Sequence, residues 1–194
     1  MRKIDSVYEN PFDNIMIKIS ESASGSFKKA DMTPNDITTL SNIAAFITIL
    51  LLVNAKYEWA AFVYVISYFF DCFDGFYARK YNMTSPFGDS YDHYSDLIKH
   101  VAIFYTLYYI NPTKFNHVLP ILVIAIFLCF VQVGCQEMIY DKKESDSLSF
   151  MRSLCLVKDT KDNDEIRNTL EKTRYFGCGT TVLLIVVIII YYGY

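Results

Sequence analysis

The composition of this 194-residue chain is that of a membrane protein. Apolar residues make up 53% of it, which is high for a soluble enzyme of this length, and the formal net charge is −3. A slightly acidic chain is not expected to bind nucleic acid. The five cysteines are odd in number and scattered, so we expect neither a disulfide framework nor a zinc site and interpret them as small core residues.

Residues 1–36 are predicted to form a cytosolic segment before the membrane domain. Apolar side chains recur in this segment at helical spacing, at Phe12, Ile15, Met16 and Ile19. This spacing favours an amphipathic helix on the membrane surface, with an ordinary surface helix as the alternative. The small residues at 22–26 predict a flexible link before the first span.

Five apolar runs predict an all-α fold, a polytopic membrane helix bundle over residues 37–194. The runs cover residues 37–53, 57–79, 86–110, 118–140 and 175–192. A helix needs roughly twenty residues to cross a bilayer. Segment 147–157 is too short and is predicted to be an interfacial or re-entrant helix, with a hidden sixth span as the alternative. Residues 162–172 are predicted to form a solvated amphipathic helix, and Gly177 and Gly179 are predicted to permit close helix packing.

The basic residues predict how the bundle is oriented. Most of them lie in the N-terminal segment, in the link after the second run and in the loop after the fourth run, whereas the opposite links carry only Lys56 and Lys114. Positively charged segments stay in the cytosol. We therefore expect a multi-pass protein whose polar motif faces the cytosol, in an endoplasmic reticulum-type membrane if the source is eukaryotic.

Four aspartates lie where the second and third runs meet. One predicted helix face carries Asp71, Asp74, Gly75 and Ala78, and the next carries Gly88, Asp92 and Asp96. Ser85 is the predicted cap of the third run, and Pro86 is its first residue. Because the break between the runs is short, we expect an antiparallel hairpin in which the two acidic faces meet.

Four converging carboxylates predict a metal site, because like charges in a low dielectric repel strongly unless cations intervene. Oxygen ligands without cysteine or paired histidine suit Mg²⁺, Mn²⁺ or Ca²⁺, and four carboxylates can hold two ions. Gly75 and Gly88 leave room for a ligand or a close backbone approach. Arg79 lies one turn beyond Gly75, where it can pair with a phosphate.

The spacing of these residues matches a known pattern. Written D-x2-D-G-x2-A-R-x8-G-x3-D-x3-D, the stretch 71–96 resembles the motif of the CDP-alcohol phosphotransferase family, also called CDP-alcohol phosphatidyltransferases. The order Ser-Pro-Phe-Gly at 85–88 and the pair Asp92-His93 are most similar to the choline and ethanolamine phosphotransferase branch. Asn-Pro-Phe at 10–12 and Pro-Asn-Asp-Ile-Thr at 34–38 are similar to elements of the same branch.

The resemblance implies an enzyme that transfers a phospho-alcohol group from CDP-choline or CDP-ethanolamine to a lipid hydroxyl, such as that of diacylglycerol, and releases CMP. It also implies two divalent ions, Mg²⁺ or Mn²⁺, and a homodimer. The implied metal ligands are Asp71, Asp74, Asp92 and Asp96, and the implied substrate-binding residues are Asn35, Gly75, Ala78, Arg79 and Gly88.

Two residues are candidates for the catalytic base that accepts the proton of the lipid hydroxyl. The resemblance implies Asp96 or, in the choline and ethanolamine branch, His93. An imidazole titrates near neutrality, whereas a metal-bound carboxylate is a weak base, which favours His93. A purely structural hydrogen bond is the alternative role of His93. Glu137 is predicted either to orient this histidine or to lie at the membrane interface.

Three other functions stay open at this point. Within the enzyme class, the same motif suits phosphatidyl transfer from CDP-diacylglycerol to inositol, glycerol phosphate or serine. A membrane cation transporter also uses buried carboxylates, but it does not need Gly75, Arg79 and Gly88 at these intervals. An inactive relative that serves as a regulatory subunit would not need an intact motif.

Overall fold

The structure is a computed structural model that describes residues 2–139, 149–157 and 163–194. Within these residues the chain forms seven α-helices. The helices are α1 (Pro11–Lys29), α2 (Pro34–Val53), α3 (Tyr57–Lys80), α4 (Pro86–Ile110), α5 (Pro112–Ile139), α6 (Asn163–Thr173) and α7 (Cys178–Tyr191). Two 3₁₀ segments, Ser149–Leu154 and Arg174–Phe176, lie before α6 and α7. No strand occurs in the described ranges, and the predicted all-α class is confirmed.

Polar caps followed by proline start most of the long helices. Asn10, Thr33 and Ser85 cap α1, α2 and α4, each with proline in the first turn. Proline fits there because the missing N–H would have no helical partner. The predicted start of the third run at Pro86 is confirmed. Helix α5 begins at Pro112, earlier than the predicted residue 118, because the Asn111 side chain accepts a hydrogen bond from the Lys114 amide at 3.0 Å.

Three helical segments are long and apolar enough to cross a membrane: Pro34–Val53, Pro112–Ile139 and Asp164–Tyr191. Helices α3 and α4 have 24 and 25 residues, which is also enough to span a bilayer, but the charged residues of the motif interrupt their apolar character. The structure therefore supports three of the five predicted spans. The spans through α3 and α4 stay predictions.

Helix α2 packs closely on both α3 and α4, whereas α3 and α4 make almost no close backbone contact with each other. Ser41 and Ser67 interlock α2 and α3, because each hydroxyl donates to the other residue's carbonyl oxygen at 2.9 Å. The expected pairing of α3 and α4 is therefore made by side chains, such as Tyr64 Oη and His100 Nε2 at 3.2 Å, and not by close approach of the two backbones. The small residues on α2 make it the shared neighbour, which leaves a space between the two acidic faces.

Helix α1 contacts the bundle through a mixed polar and apolar face, and two residues of its predicted apolar face stay exposed. Its buried residues are Asp13, Met16, Ile17, Ser20 and Ser24, whereas 54% of Ile15 and 48% of Ile19 is exposed. The predicted flexible link at 22–26 was wrong, because these residues complete the helix. Ser24 accepts a hydrogen bond from Lys80 of α3 at 2.7 Å, so a small polar residue here serves packing and not flexibility.

Helix α1 also meets the start of α7. Gly179 permits this approach, because a Cβ there would collide with Asp13 and Asn10, and the predicted role of Gly179 in close packing is confirmed. Tyr68 donates a hydrogen bond to Asp13 Oδ1 at 2.5 Å. Burial raises the pKa of Asp13 to about 7, although the bond from Tyr68 opposes this rise.

The cysteine prediction was wrong for two residues, because Cys135 of α5 and Cys155 form a disulfide. The pairing joins segments that are adjacent only in the fold, and residue spacing does not show such an adjacency. Within 147–157, residues 149–154 form the short 3₁₀ segment beside α5, and residues 147 and 148 lie outside the described residues. The amphipathic helix predicted at 162–172 is confirmed as α6, which buries Ile166 and Leu170 beside the disulfide.

The contact between α5 and the 3₁₀ segment depends on Gly134. A Cβ on Gly134 would collide with the carbonyl oxygen of Met151. We expect Gly134→Ala to lower the free energy of unfolding by about 1–3 kcal/mol, the usual cost of overpacking. Chemical unfolding in detergent, followed by circular dichroism, measures the change.

The matched control is Gly25→Ala, because a Cβ at Gly25 of α1 meets nothing within 4 Å. This variant should be more stable by roughly 0.5–1 kcal/mol, since alanine is the better residue inside a helix. Equal stability of the two variants would contradict the assigned role of Gly134.

Candidate active site

A pocket opens where the start of α4 meets the end of α3 and the first turn of α2. Every predicted site residue lines it except Asp96: Asn35, Asp71, Asp74, Gly75, Ala78, Arg79, Gly88, Asp92 and His93. The two helix faces predicted from the spacing of the motif therefore do converge. They converge beside this cavity, where carboxylates of α3 and α4 lie close together.

Three carboxylates form the tightest part of the site. Asp71, Asp92 and Asp96 each place one carboxylate oxygen within 4.8 Å of the others. Asp92 Oδ1 is buried and has no hydrogen-bond partner. A buried carboxylate oxygen without a partner is costly, and a hard divalent cation takes carboxylate oxygens as ligands. The donor set and this unpaired oxygen fit a divalent metal.

Asp74 is held at the edge of this group by α2. Its side chain is almost fully buried, and its Oδ2 accepts a hydrogen bond from Thr38 Oγ1 at 2.5 Å. The bond fixes one carboxylate oxygen and leaves the other to the pocket, as an outer partner of a metal ligand does. Thr38 was not predicted as a site residue. Thr38 lies one turn after Asn35 on the same face of α2, and this spacing could have indicated that it belongs to the site.

Sequence reasoning also missed Lys99. Its Nζ lies 2.8 Å from Asp71 Oδ1 and 2.7 Å from Asp96 Oδ1. Two features of the sequence could have indicated it. Lys99 follows Asp96 by three residues on one helix face, and a lysine inside a membrane-length run needs a nearby anion.

The two glycines of the motif hold space for two neighbouring side chains. A Cβ on Gly75 would lie 3.1 Å from Nη1 of Arg79, whose guanidinium therefore lies over the helix at this point. A Cβ on Gly88 would lie 3.1 Å from Oδ1 of Asn35. The side chains of Arg79 and Asn35 therefore use the space beside these glycines, and the predicted room for a ligand or a close backbone approach stays a prediction.

The comparison with protein families decides the class of this site. The family model described as CDP-alcohol phosphatidyltransferase matches residues 31–193. The chain belongs to the CDP-alcohol phosphatidyltransferase family. Searches of curated proteins and of solved structures returned no match. The matched region covers α2 to α7 and contains all four aspartates.

CDP-alcohol phosphatidyltransferases transfer phosphate-containing groups from CDP-alcohol or lipid substrates in phospholipid synthesis, and they normally use a divalent metal. The pocket offers the groups that this chemistry needs. Carboxylates lie at its base, and the guanidinium of Arg79 lies in its wall. Such an arrangement can hold a cation and a diphosphate together.

His93 and Glu137 occupy different parts of the pocket wall. His93 Nδ1 lies 3.6 Å from Asp89 Oδ2, one turn earlier in α4. Glu137 was predicted to orient His93 or to lie at the membrane interface. It is buried, lines the pocket and is ion-paired with Lys3, and both predicted roles stay predictions. The N-terminal segment folds back to the pocket here, and this long-range contact has no signature in the sequence.

The hydrogen bond from Thr38 to Asp74 gives a direct test of the metal site. We expect Thr38→Val to weaken Mn²⁺ binding roughly 10–100-fold, the usual effect of losing an outer partner of a ligand. Isothermal titration of Mn²⁺ into the purified protein measures this affinity. The control is Thr48→Val, because Thr48 is also buried in α2 but bonds only to the Ala44 carbonyl oxygen of its own helix. Unchanged affinity in Thr38→Val would show that Asp74 is not a ligand that this threonine orients.

Proposed function

We propose that this chain transfers a phospho-alcohol group from CDP-choline or CDP-ethanolamine to a lipid hydroxyl such as that of diacylglycerol, and releases CMP. The observation that carries the proposal is the convergence of carboxylate oxygens from Asp71, Asp92 and Asp96 within 4.8 Å, in a pocket that Arg79 also lines. Family membership supports the reaction class. The order of residues at 85–88 and at Asp92-His93 supports the choline and ethanolamine branch.

The residues that would hold the divalent metal, Mg²⁺ or Mn²⁺, are Asp71, Asp74, Asp92 and Asp96. When bound, the metal neutralises the diphosphate and stabilises the charge on the departing CMP. Contacts within the protein hold three of these four carboxylates in place. Thr38 fixes Asp74, and Lys99 fixes both Asp71 and Asp96.

The donor is proposed to lie along the floor formed by the small residues of α3 and α4. Gly75, Ala78 and Gly88 present little side chain to the pocket, so a nucleotide diphosphate can approach the backbone. Arg79 offers a planar fork of N–H donors to phosphate oxygens. Asn35, at the first turn of α2, is proposed to contact the same donor.

His93 is proposed as the base. It lines the pocket, whereas Asp96 does not line it and faces the ammonium of Lys99. Nδ1 of His93 lies 3.6 Å from Asp89 Oδ2, and the imidazole is proposed to take the hydroxyl proton of the acceptor. The acceptor oxygen then bonds to the phosphorus of the phospho-alcohol group, and the bond from that phosphorus to the bridging oxygen of CMP breaks.

The membrane arrangement is proposed to follow the charge distribution. Helices α3 and α4 complete five spans, residues 1–36 form a cytosolic segment, and residues 37–194 form the transmembrane domain with its pocket facing the cytosol. The exposed Ile15 and Ile19 of α1 support a position on the membrane surface. A homodimer is proposed from the resemblance.

The release of CMP tests the proposed reaction. Purified protein in liposomes with diacylglycerol and Mn²⁺ should release CMP from CDP-choline or CDP-ethanolamine. Asp92→Asn should reduce the rate at least about 100-fold, because removal of a carboxylate charge weakens the metal site. The matched control is Asp31→Asn, which makes the same change at a residue outside the pocket whose φ of 54° suits asparagine.

The choice of donor separates this proposal from its alternatives. CMP release only from CDP-diacylglycerol with inositol, glycerol phosphate or serine would reassign the chain to phosphatidyl transfer. Metal binding without CMP release from any donor would indicate a cation transporter or an inactive regulatory relative.

The role of His93 has a separate test. His93→Gln should lower kcat by roughly 10²–10⁴-fold, the usual contribution of a general base, and should leave Mn²⁺ affinity and the KM for the CDP-alcohol nearly unchanged. The control is His117→Gln, a change at an exposed histidine near the start of α5. A rise in KM with unchanged kcat would instead assign His93 to substrate binding.

A further inference from the structure

Lys99 lies inside the carboxylate group and not at its rim. Its Nζ donates hydrogen bonds to Ser41 Oγ and Asp71 Oδ1, both at 2.8 Å, and lies 2.7 Å from Asp96 Oδ1 in an ion-pair contact that lacks hydrogen-bond geometry. Only 8% of the residue is exposed. An ammonium group has three N–H donors, and Ser41 and Asp71 accept from two of them, while Asp96 adds a second carboxylate charge beside the group.

Three helices fix the position of this ammonium. Ser41 belongs to α2, Asp71 to α3, and Asp96 with Lys99 itself to α4. The Ser41 hydroxyl donates to the carbonyl oxygen of Ser67, so its own oxygen is turned to accept from Lys99. The lysine is therefore held by contacts that also hold the bundle together.

The ammonium divides the carboxylates into two groups. Asp71 Oδ1 and Asp96 Oδ1 contact Lys99, whereas the buried Asp92 Oδ1 accepts no hydrogen bond. Asp71 and Asp92 both line the pocket, and Asp96 does not. Asp74, bonded to Thr38, lines the pocket as well. The carboxylates that line the pocket are available to a divalent ion, while the ammonium of Lys99 already supplies a fixed positive charge beside Asp71 and Asp96.

We propose that Lys99 takes the place of one of the two divalent cations expected at a site of four aspartates, so that each chain binds a single Mg²⁺ or Mn²⁺. A second ion held by Asp71 and Asp96 would have to share the two Oδ1 atoms that Lys99 Nζ already contacts at 2.8 Å and 2.7 Å, and the ammonium already compensates part of the charge of these two carboxylates. The single ion is assigned to Asp92, Asp74 and the remaining oxygen of Asp71. This inference rests on the metal site of the proposed function.

Counting bound Mn²⁺ tests the inference without reference to activity. The electron paramagnetic resonance signal of free Mn²⁺ gives the number of ions bound by the full chain in detergent. The wild type should bind one ion per chain, Lys99→Met should bind two, and Lys99→Arg, which keeps the charge, should bind one. Lys114→Met is the matched control, because Lys114 is also partly buried but contacts carbonyl oxygens of Tyr191 and Tyr192 at the other end of the bundle.

Each other result has a distinct meaning. Two ions in the wild type, or one in Lys99→Met, would overturn the role of Lys99 and leave the proposed function intact if CMP is released. No bound Mn²⁺ together with no CMP release would overturn the proposed function itself.

Thermal unfolding after chelation provides the second measurement, which also applies if Lys99→Met folds only with metal present. The wild type should keep a cooperative transition in EDTA, because Lys99 still neutralises part of the buried charge. Lys99→Met should lose this transition in EDTA and regain it with Mn²⁺. An equal response of the two proteins to EDTA would count against a lysine that substitutes for an ion.

Discussion

Four carboxylates share a narrow space between α2, α3 and α4, and each needs a partner because an uncompensated charge in a membrane-length bundle is costly. The partners come from different helices. Thr38 of α2 bonds to Asp74, and Lys99 of α4 lies against both Asp71 and Asp96. Two buried carboxylate oxygens accept no hydrogen bond: Asp96 Oδ1, which is ion-paired with Lys99, and Asp92 Oδ1, whose residue lines the pocket. The charge of the site is thus compensated on its inner side and left for a ligand on its outer side.

This compensation depends on how α2 is packed. The reciprocal hydrogen bonds between Ser41 and Ser67 bring α2 close to α3, and the same Ser41 accepts from Lys99 of α4. Because α2 contacts both partners, α3 and α4 can stay apart around the pocket. Replacing α2 contacts with bulkier apolar side chains would therefore alter the position of the charges as well as the packing. Stability and site geometry share the same residues.

The local features of the fold were readable from the sequence. The cap at Ser85, the start at Pro86 and the shared face of Asp92 and Asp96 follow from residue types and from helical periodicity within one turn or two. The convergence of the motif in one pocket also followed, because the short break brings the end of α3 near the start of α4.

The contacts between distant segments were not readable in this way. The disulfide of Cys135 and Cys155, and the ion pair of Lys3 with Glu137, each join segments whose adjacency only the fold creates. The buried face of α1 belongs to the same class. Its apolar residues predicted a side that faces the membrane surface, and the side that approaches α3 through Ser24 was not predicted. Hydrophobic periodicity locates a helix but does not say which neighbour it meets.

The contacts of Lys99 include one that local sequence spacing predicts and two that only the packing of the helices creates. Its distance of three residues from Asp96 is local and predicts that the two side chains can pair. Its contact with Asp71 and Ser41 depends on three helices and could not be predicted. A motif that lists only the aspartates and glycines describes the ligands but not the cation already present among them. One turn of α4 therefore presents Asp92 and His93 to the pocket. The next turn carries Asp96 and Lys99, which pair with each other outside the pocket lining. The proposed base and the lysine that compensates the carboxylate charge thus lie on successive turns of one helix.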